Sequence, residues 1–247
     1  DIGGKGLFIK EIEEALIEKR ADFAVHSIKD VPADLATDLV IAAIPERADP
    51  RDVIVTRSGA KLAELPAGAR VGTSSLRRAV SLGALRPDLA YVPARGNVDT
   101  RLRRVEEGMY DAVVLALAGL TRLGLAERAT EILSVDVSLP AIGQGALGIE
   151  CAADRGDVRD VLATMADPET TMRVTAERAV MLAVSGNCKI PVAAYAVREG
   201  YELWLRGFLA DEDGSHLRRG ERRIAWPKDA DEAARVGADL GAELKRG

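Results

Sequence analysis

Four clusters of residues have the types and spacing to do chemistry. Gly72-Thr73-Ser74-Ser75-Leu76-Arg77-Arg78 joins the end of a short strand to the start of a helix. Its hydroxyls fall where free backbone N–H groups and the positive end of a helix dipole receive anions. Two arginines in a first helical turn oppose that dipole, and a bound anion would compensate them; a capped helix with solvated arginines is the alternative. Arg95-Gly96-Asn97-Val98-Asp99-Thr100-Arg101 repeats the arrangement, with Arg95 before a helix and Arg101 inside it. Guanidinium forks bind carboxylates bidentately, so two such corners in succession point to a ligand with several carboxylates. His26-Ser27-Ile28-Lys29-Asp30-Val31-Pro32 ends a strand with a carboxylate beside a cation. Asp30 there can act as general acid or base or hold a developing positive charge, whereas a turn-capping Asp is the structural alternative. The fourth is Cys188, in a loop beside Lys189, which favours the thiolate. Cys151 ends the strand-like segment 147–151 and reads as a buried, inert thiol.

The elements that must position these corners alternate. Ile9, Ile12 and Leu16 predict a helix over 8–20. Strands are predicted at 22–26, 39–44, 52–56, 70–72, 89–93, 111–116 and 147–151, with helices over 76–85 and 97–107 and a short one through Arg122. Such alternation predicts parallel sheets covered on both faces, with ligands at the carboxyl ends of the strands. Farther along the pattern changes. Helices over 158–165 and 169–184 precede three antiparallel strands at 192–197, 201–209 and 217–224, turned at Glu199-Gly200 and Asp213-Gly214, and a last helix over 229–245. A helix opening the chain with nothing before it to pack on, and Asp1 in place of Met, raise the expectation of missing N-terminal residues.

Composition removes whole classes. At 47% hydrophobic and 30% charged, the 247 residues are globular rather than disordered. Runs such as 39–44 are too short to cross a bilayer, and no secretory apolar region opens the chain. Two cysteines 37 positions apart form neither a disulfide framework nor a zinc spacing, and two histidines leave no metal centre expected. The net charge of -5 hides a basic segment: from Arg70 to Arg104 eight arginines face two acids, giving +6 there and -11 elsewhere. That acidic remainder, with 4% aromatics, argues against nucleic acid as a partner. Gly3-Gly4-Lys5-Gly6 lacks the spacing and the following Ser or Thr of a P-loop. A soluble, cytoplasmic protein of a reducing compartment is expected.

The blocks GGKGLF, HSIKDVP, GTSSLRR, RGNVDTRL, LALAGLTRLGL, LPAIGQGALGIEC and RVTAERA, with the loop cysteine, resemble in their order the porphobilinogen deaminase (hydroxymethylbilane synthase) family over essentially the whole chain. The resemblance implies an α/β fold of three domains. The first two are periplasmic-binding-protein-like with parallel-rich sheets around a cleft, and the third is a small α+β domain with an antiparallel sheet. On this chain they fall at 1–45 with 146–165, at 50–140, and at 168–247. It implies a transferase that condenses four porphobilinogen molecules head to tail on a covalent dipyrromethane primer, releasing ammonia and then hydroxymethylbilane. A monomer without metal, membrane or nucleic-acid partners is implied. Cys188 matches the thioether attachment and Asp30 the catalytic aspartate. Arg77, Arg78, Arg95, Arg101 and Arg122 match positions that hold acetate and propionate groups. Ser27, Lys29, Thr73, Ser74 and Ser75 match cofactor contacts, Gln144 the hinge, and Lys5 and Phe8 further binding positions, Phe8 covering the cleft. Asn187 replaces a common Gly before the cysteine, and Asp1 stands where many relatives have Lys. A non-catalytic binding protein for polycarboxylates is the competing reading; it leaves Asp30 and Cys188 without jobs, and ammonia release separates the two.

Overall fold

The computed structural model describes residues 4–32, 35–184 and 190–247, with the backbone alone for 4–8. The chain begins with α1 (Gly4–Ile17), β1 (Ala24–Ser27) and β2 (Leu39–Ala43). It continues through β3 (Asp52–Thr56), β4 (Arg70–Gly72), α2 (Leu76–Gly83), β5 (Ala90–Val92), α3 (Val98–Glu106), β6 (Ala112–Ala116), α4 (Leu117–Arg122) and β7 (Glu131–Ile132). It returns as β8 (Leu147–Ala152) and α5 (Gly156–Ala163), and ends with α6 (Pro168–Ala183), β9 (Val192–Glu199), β10 (Glu202–Leu209), β11 (Arg218–Ala225) and α7 (Ala230–Arg246).

Three sheets result, in the orders β1-β8-β2, β5-β4-β6-β3-β7 and β11-β10-β9. The middle sheet is buried on both faces, and its sequence says why. Along β3 and β6 successive residues point to opposite faces. Val53, Val55, Val113 and Leu115 pack with Leu102, Val105 and Leu120 on one side. Ile54, Ala112 and Val114 pack with Val71, Leu82 and Leu133 on the other. Such continuous Val/Ile/Leu runs belong to a doubly covered sheet. In the last sheet Leu203, Leu205, Ala194 and Ala196 of one face pack on Ala176, Val180, Leu240 and Leu244 of α6 and α7, while Ala193 and Phe208 of the other face form a smaller cluster with Leu139. These helices approach closely because Gly237 lies against the Ala176 carbonyl, where a Cβ would overlap it.

The α/β class with a separate antiparallel sheet is as expected, and the parallel reading of the strands holds in the middle sheet only in part. Parallel pairing is confined to β5-β4-β6. β3 runs antiparallel to both β6 and β7, and both pairings of the first sheet are antiparallel. The short β7 carries no strand pattern of its own and was not expected; β3 supplies its pairing. Among the described residues no helix is long and apolar enough to cross a membrane.

The first and middle sheets are joined by two crossing segments, 44–51 and 139–146. The Ala48 N–H donates to the Gly145 carbonyl at 3.3 Å. Gly145 has φ +88, and a Cβ there would meet the Ala48 oxygen at 2.5 Å, so only glycine lets the segments touch. Arg47 ties both segments to the last sheet. Its guanidinium donates to Glu177 at 2.6 and 3.1 Å and to the Gln144 carbonyl at 2.8 Å, and lies 5.2 Å over the Tyr195 ring. Glu177, wholly buried on α6, also accepts from the backbone N–H of Gly143 and Ala196.

Candidate active site

β4, β5 and β6 end at one edge of the middle sheet, as parallel strands must. β3 is antiparallel to β6 with Asp52 opposite Ala116, so the start of β3 lies at that same edge. This register delivers the Asp52 carboxylate to the first turn of α2. Ser75 caps that helix by accepting from the Arg78 N–H, and Thr73 accepts from the Ser75 N–H. Arg77 and Arg78 turn inward and are buried. Arg77 reaches Asp52 at 2.8 and 3.3 Å and the Leu139 carbonyl at 2.6 Å. Arg78 reaches Asp52 at 2.7 and 3.0 Å and the Val114 carbonyl at 3.0 Å. Ser138 and Gln144 complete the cluster, donating to Asp52 at 2.7 and 2.9 Å. Burial works to raise the Asp52 pKa, but the two guanidiniums overwhelm it and hold the carboxyl far below the usual range. The anion that compensates two cations in a first helical turn is therefore the chain's own.

The first sheet delivers the opposing groups. β1 ends at Ser27, and a single 3-10 turn, Ile28–Asp30, follows where the sequence pattern carried the strand to Asp30. Ile28 is buried and clamps this turn: its N–H donates to the Ala146 carbonyl, and its side chain fills the space a Cβ at Gly143 or Gly148 would need. Lys29 and Asp30 are thereby brought within electrostatic reach of the middle sheet. Burial lowers the Lys29 pKa to about 8; Arg78 and Arg77 push the same way, and Asp30 and Asp52 oppose them. Arg101, on α3, is half-buried, and its pKa is lowered by burial and by Arg78, with Asp30 acting against them. Among the described residues, Asp30 and Asp52 are the carboxylates that act on Lys29 beside Arg77 and Arg78, and Asp30 also acts on Arg101.

Three buried polar atoms around this cluster have no hydrogen-bond partner among the described residues: Arg77 Nε, Arg101 Nε and Gln144 Oε1. Buried donors are normally satisfied. Four cations against two carboxylates, with two guanidinium N–H groups open, suit a ligand bearing carboxylates.

The remaining expected residues are placed unevenly. Arg122, at the end of α4, donates to the Gly145 carbonyl at 2.8 Å, at the crossing segments. Arg95 and Ser74 are exposed, and the Arg95 side chain makes no hydrogen bond to a described residue. Ser27 is partly buried at the end of β1. Lys5 and Phe8 lie on α1, their side chains outside the described residues, and so does Cys188. Cys151 is fully buried on β8, and burial raises its pKa, as an inert thiol requires. Arg86 pairs with Asp88 and donates to the Leu62 and Leu65 carbonyls. With Arg70 on Asp111 and Arg77 and Arg78 on Asp52, much of the +6 segment is engaged internally. Sequence reasoning missed Asp52, Ser138 and the Arg47–Glu177 pair. A signal for Asp52 was present: an acid opens the otherwise apolar 52–55 run, while Arg77 and Arg78 have no acid nearby in sequence.

Comparison with known proteins gives the family. A family model described as porphobilinogen deaminase, dipyromethane cofactor binding domain, matches residues 1–160, and one described as porphobilinogen deaminase, C-terminal domain, matches residues 171–246. The chain belongs to the porphobilinogen deaminase family. A porphobilinogen deaminase of Sorangium cellulosum is 72% identical over all of this chain and 82% of its own length. One from Syntrophobacter fumaroxidans is 50% identical over 98% of this chain and 77% of its own. Among solved structures, a BvgS VFT2 domain of Bordetella pertussis aligns at 19% identity and a TM-score of 0.41, over 64% of this chain and 66% of its own. The deaminase family's cofactor-binding model spans both the Lys29–Asp30 turn and the arginine cluster.

Proposed function

We propose that this chain is a transferase that condenses four porphobilinogen molecules head to tail, releasing ammonia at each step and finally hydroxymethylbilane by hydrolysis. The observation that carries this reading is the meeting of Lys29 and Asp30 from the first sheet with Asp52, Arg77, Arg78 and Arg101 from the middle one. Porphobilinogen bears an acetate and a propionate, and the excess of cations with open Nε–H groups on Arg77 and Arg101 supports carboxylate binding there. Cys188 carries dipyrromethane through a thioether, and when bound this group supplies the nucleophilic pyrrole carbon to which the next unit is added. Arg77, Arg78, Arg95, Arg101 and Arg122 receive carboxylates; Ser27, Lys29, Thr73, Ser74, Ser75, Lys5 and Phe8 complete the binding surface, and Gln144 sits at the hinge.

Asp30 does the proton and charge work. A carboxylate between the sheets accepts the pyrrole N–H and stabilises the positive charge that develops on the ring as the amino group leaves. Lys29, with its lowered pKa, keeps a carboxylate of the substrate beside Asp30 without forming a fully hydrated ion pair. The reading includes the domain division at 45–50, 140–146 and 165–168. The described groups of the cluster all come from one chain, which supports a monomer, and its two cysteines fit the reducing cytoplasm. The test is release of ammonia from porphobilinogen, together with the mass of the Cys188 peptide. Ammonia with a dipyrromethane adduct supports the reading; binding of porphobilinogen without ammonia would leave a polycarboxylate-binding protein instead.

A further inference from the structure

The Asp52 carboxylate carries more than a structural counter-ion needs. It accepts six hydrogen bonds: from Arg77 Nη1 and Nη2, Arg78 Nε and Nη2, Ser138 Oγ and Gln144 Nε2. A carboxylate offers about four lone-pair sites, so these donors compete and the surrounding groups are tightly fixed. The two arginines are used differently. Asp52 takes the end of the Arg77 fork, Nη1 at 2.8 Å and Nη2 at 3.3 Å, and the Leu139 carbonyl takes the other Nη1 hydrogen at 2.6 Å. What remains on Arg77 is the Nε–H, buried and without a partner among the described residues, and the Nη2 hydrogen beside it. These two donors are parallel and lie on one edge, which is the geometry that grips a carboxylate bidentately. On Arg78 Asp52 takes that very edge, Nε at 3.0 Å and Nη2 at 2.7 Å. One carboxylate between two guanidiniums also leaves the trio with a charge of +1.

We propose that Asp52 is a positioning residue of the condensation reaction: by holding the end of the Arg77 fork and the side of the Arg78 fork, it reserves the Nε edge of Arg77 as the receptor for a single ligand carboxylate. The assignment rests on the proposed function for what the ligand is. Ser138 is the second support, since its hydroxyl donates to the oxygen of Asp52 that holds Arg77 Nη1. A ligand carboxylate on the free edge brings the buried trio to neutrality, so binding and alignment are coupled through Asp52 rather than through Arg77 alone.

The test uses steady-state kinetics of the cofactor-loaded protein with porphobilinogen, with ammonia release as the assay and far-UV circular dichroism as the check on folding. Asp52→Asn, which offers one acceptor and turns an N–H toward the guanidiniums, raises KM about tenfold or more, while kcat changes less than threefold. Should that variant fail to fold, Ser138→Ala carries the test: KM rises about two- to fivefold at unchanged kcat. In an Arg77→Lys background, which has no fork to orient, Ser138→Ala then adds nothing to KM. Unchanged KM in Ser138→Ala, or the same rise with and without Arg77, overturns the positioning role. Absence of ammonia from the unaltered protein overturns the proposed function instead, so the two failures are told apart.

Discussion

Replacing Glu177 tests whether the joint between the crossing segments and the last sheet is held electrostatically. Both partners of the Arg47–Glu177 pair are buried, with side-chain exposures of 1% and 0%. Glu177→Met keeps the length of the side chain and removes the acceptor of four hydrogen bonds: two from Arg47 and one each from the Gly143 and Ala196 amides. Removing one partner of a buried pair costs about 3–5 kcal/mol because the other charge stays uncompensated. The two stranded amides add about 1–3 kcal/mol each, with some overlap. A loss of about 5 kcal/mol or more is expected, against a total stability of roughly 5–15 kcal/mol for an ordinary domain. Both tryptophans, Trp204 and Trp226, lie on or just after the strands of the last sheet, so their fluorescence in urea follows that part while circular dichroism follows the whole chain. The fluorescence midpoint should fall sharply. The decisive arm is Arg47→Met in the Glu177→Met background. There it removes an unpaired buried charge and should restore part of the loss, whereas alone it should destabilise. Equal destabilisation by Arg47→Met in both backgrounds would refute the reasoning, because it would mean that packing and not charge holds the joint.

Three further outcomes follow from the site. Lys29 has its pKa lowered from the usual 10.5 to about 8, so the folded protein sheds a proton there that the unfolded chain keeps to about 10.5. Its burial cost is full below pH 8 and is relieved as pH rises between those values, so this residue's contribution to stability rises with pH across that window. Ligand binding goes the other way: KM for porphobilinogen should rise as pH passes 8, and Lys29→Arg, charged throughout, should flatten that rise; an identical profile in the variant would count against Lys29 as a ligand contact. Asp30→Ala should lower kcat by roughly 10²–10⁴-fold with the far-UV spectrum unchanged, and turnover within threefold of the unaltered protein would remove Asp30 from the chemistry. Cys188→Ser should abolish the dipyrromethane adduct in the intact mass while Cys151→Ser leaves it, and an adduct that survives Cys188→Ser would place the attachment elsewhere.

The corners of the site were legible because they rest on local rules. A Gly–hydroxyl–Arg run after a short strand fixes a strand end and a capped helix, and Ser75 and Asn97 cap α2 and α3 where that pattern places them. The continuous apolar runs of β3 and β6, buried along their length, were equally readable. What local rules do not contain is strand direction. With β3 taken as parallel to β4 and β6, Asp52 would start its strand at the edge opposite Arg77, about 13–17 Å away for five residues. Reversing β3 moves the same residue to the arginines and converts an ordinary acid at a strand start into the counter-ion of the site. The Arg47–Glu177 pair was hidden for a related reason, since its members are 130 positions apart and meet only once the last sheet docks. Charge balance could have pointed to the first of these. Two arginines in a first helical turn need an anion, the acids nearest them in sequence, Asp88 and Glu64, lie outside the helix, and a carboxylate opening an apolar strand needs a cation. Matching those two demands selects an antiparallel β3 before any coordinate is known, so unpaired buried charge reports strand direction where hydrophobic periodicity cannot.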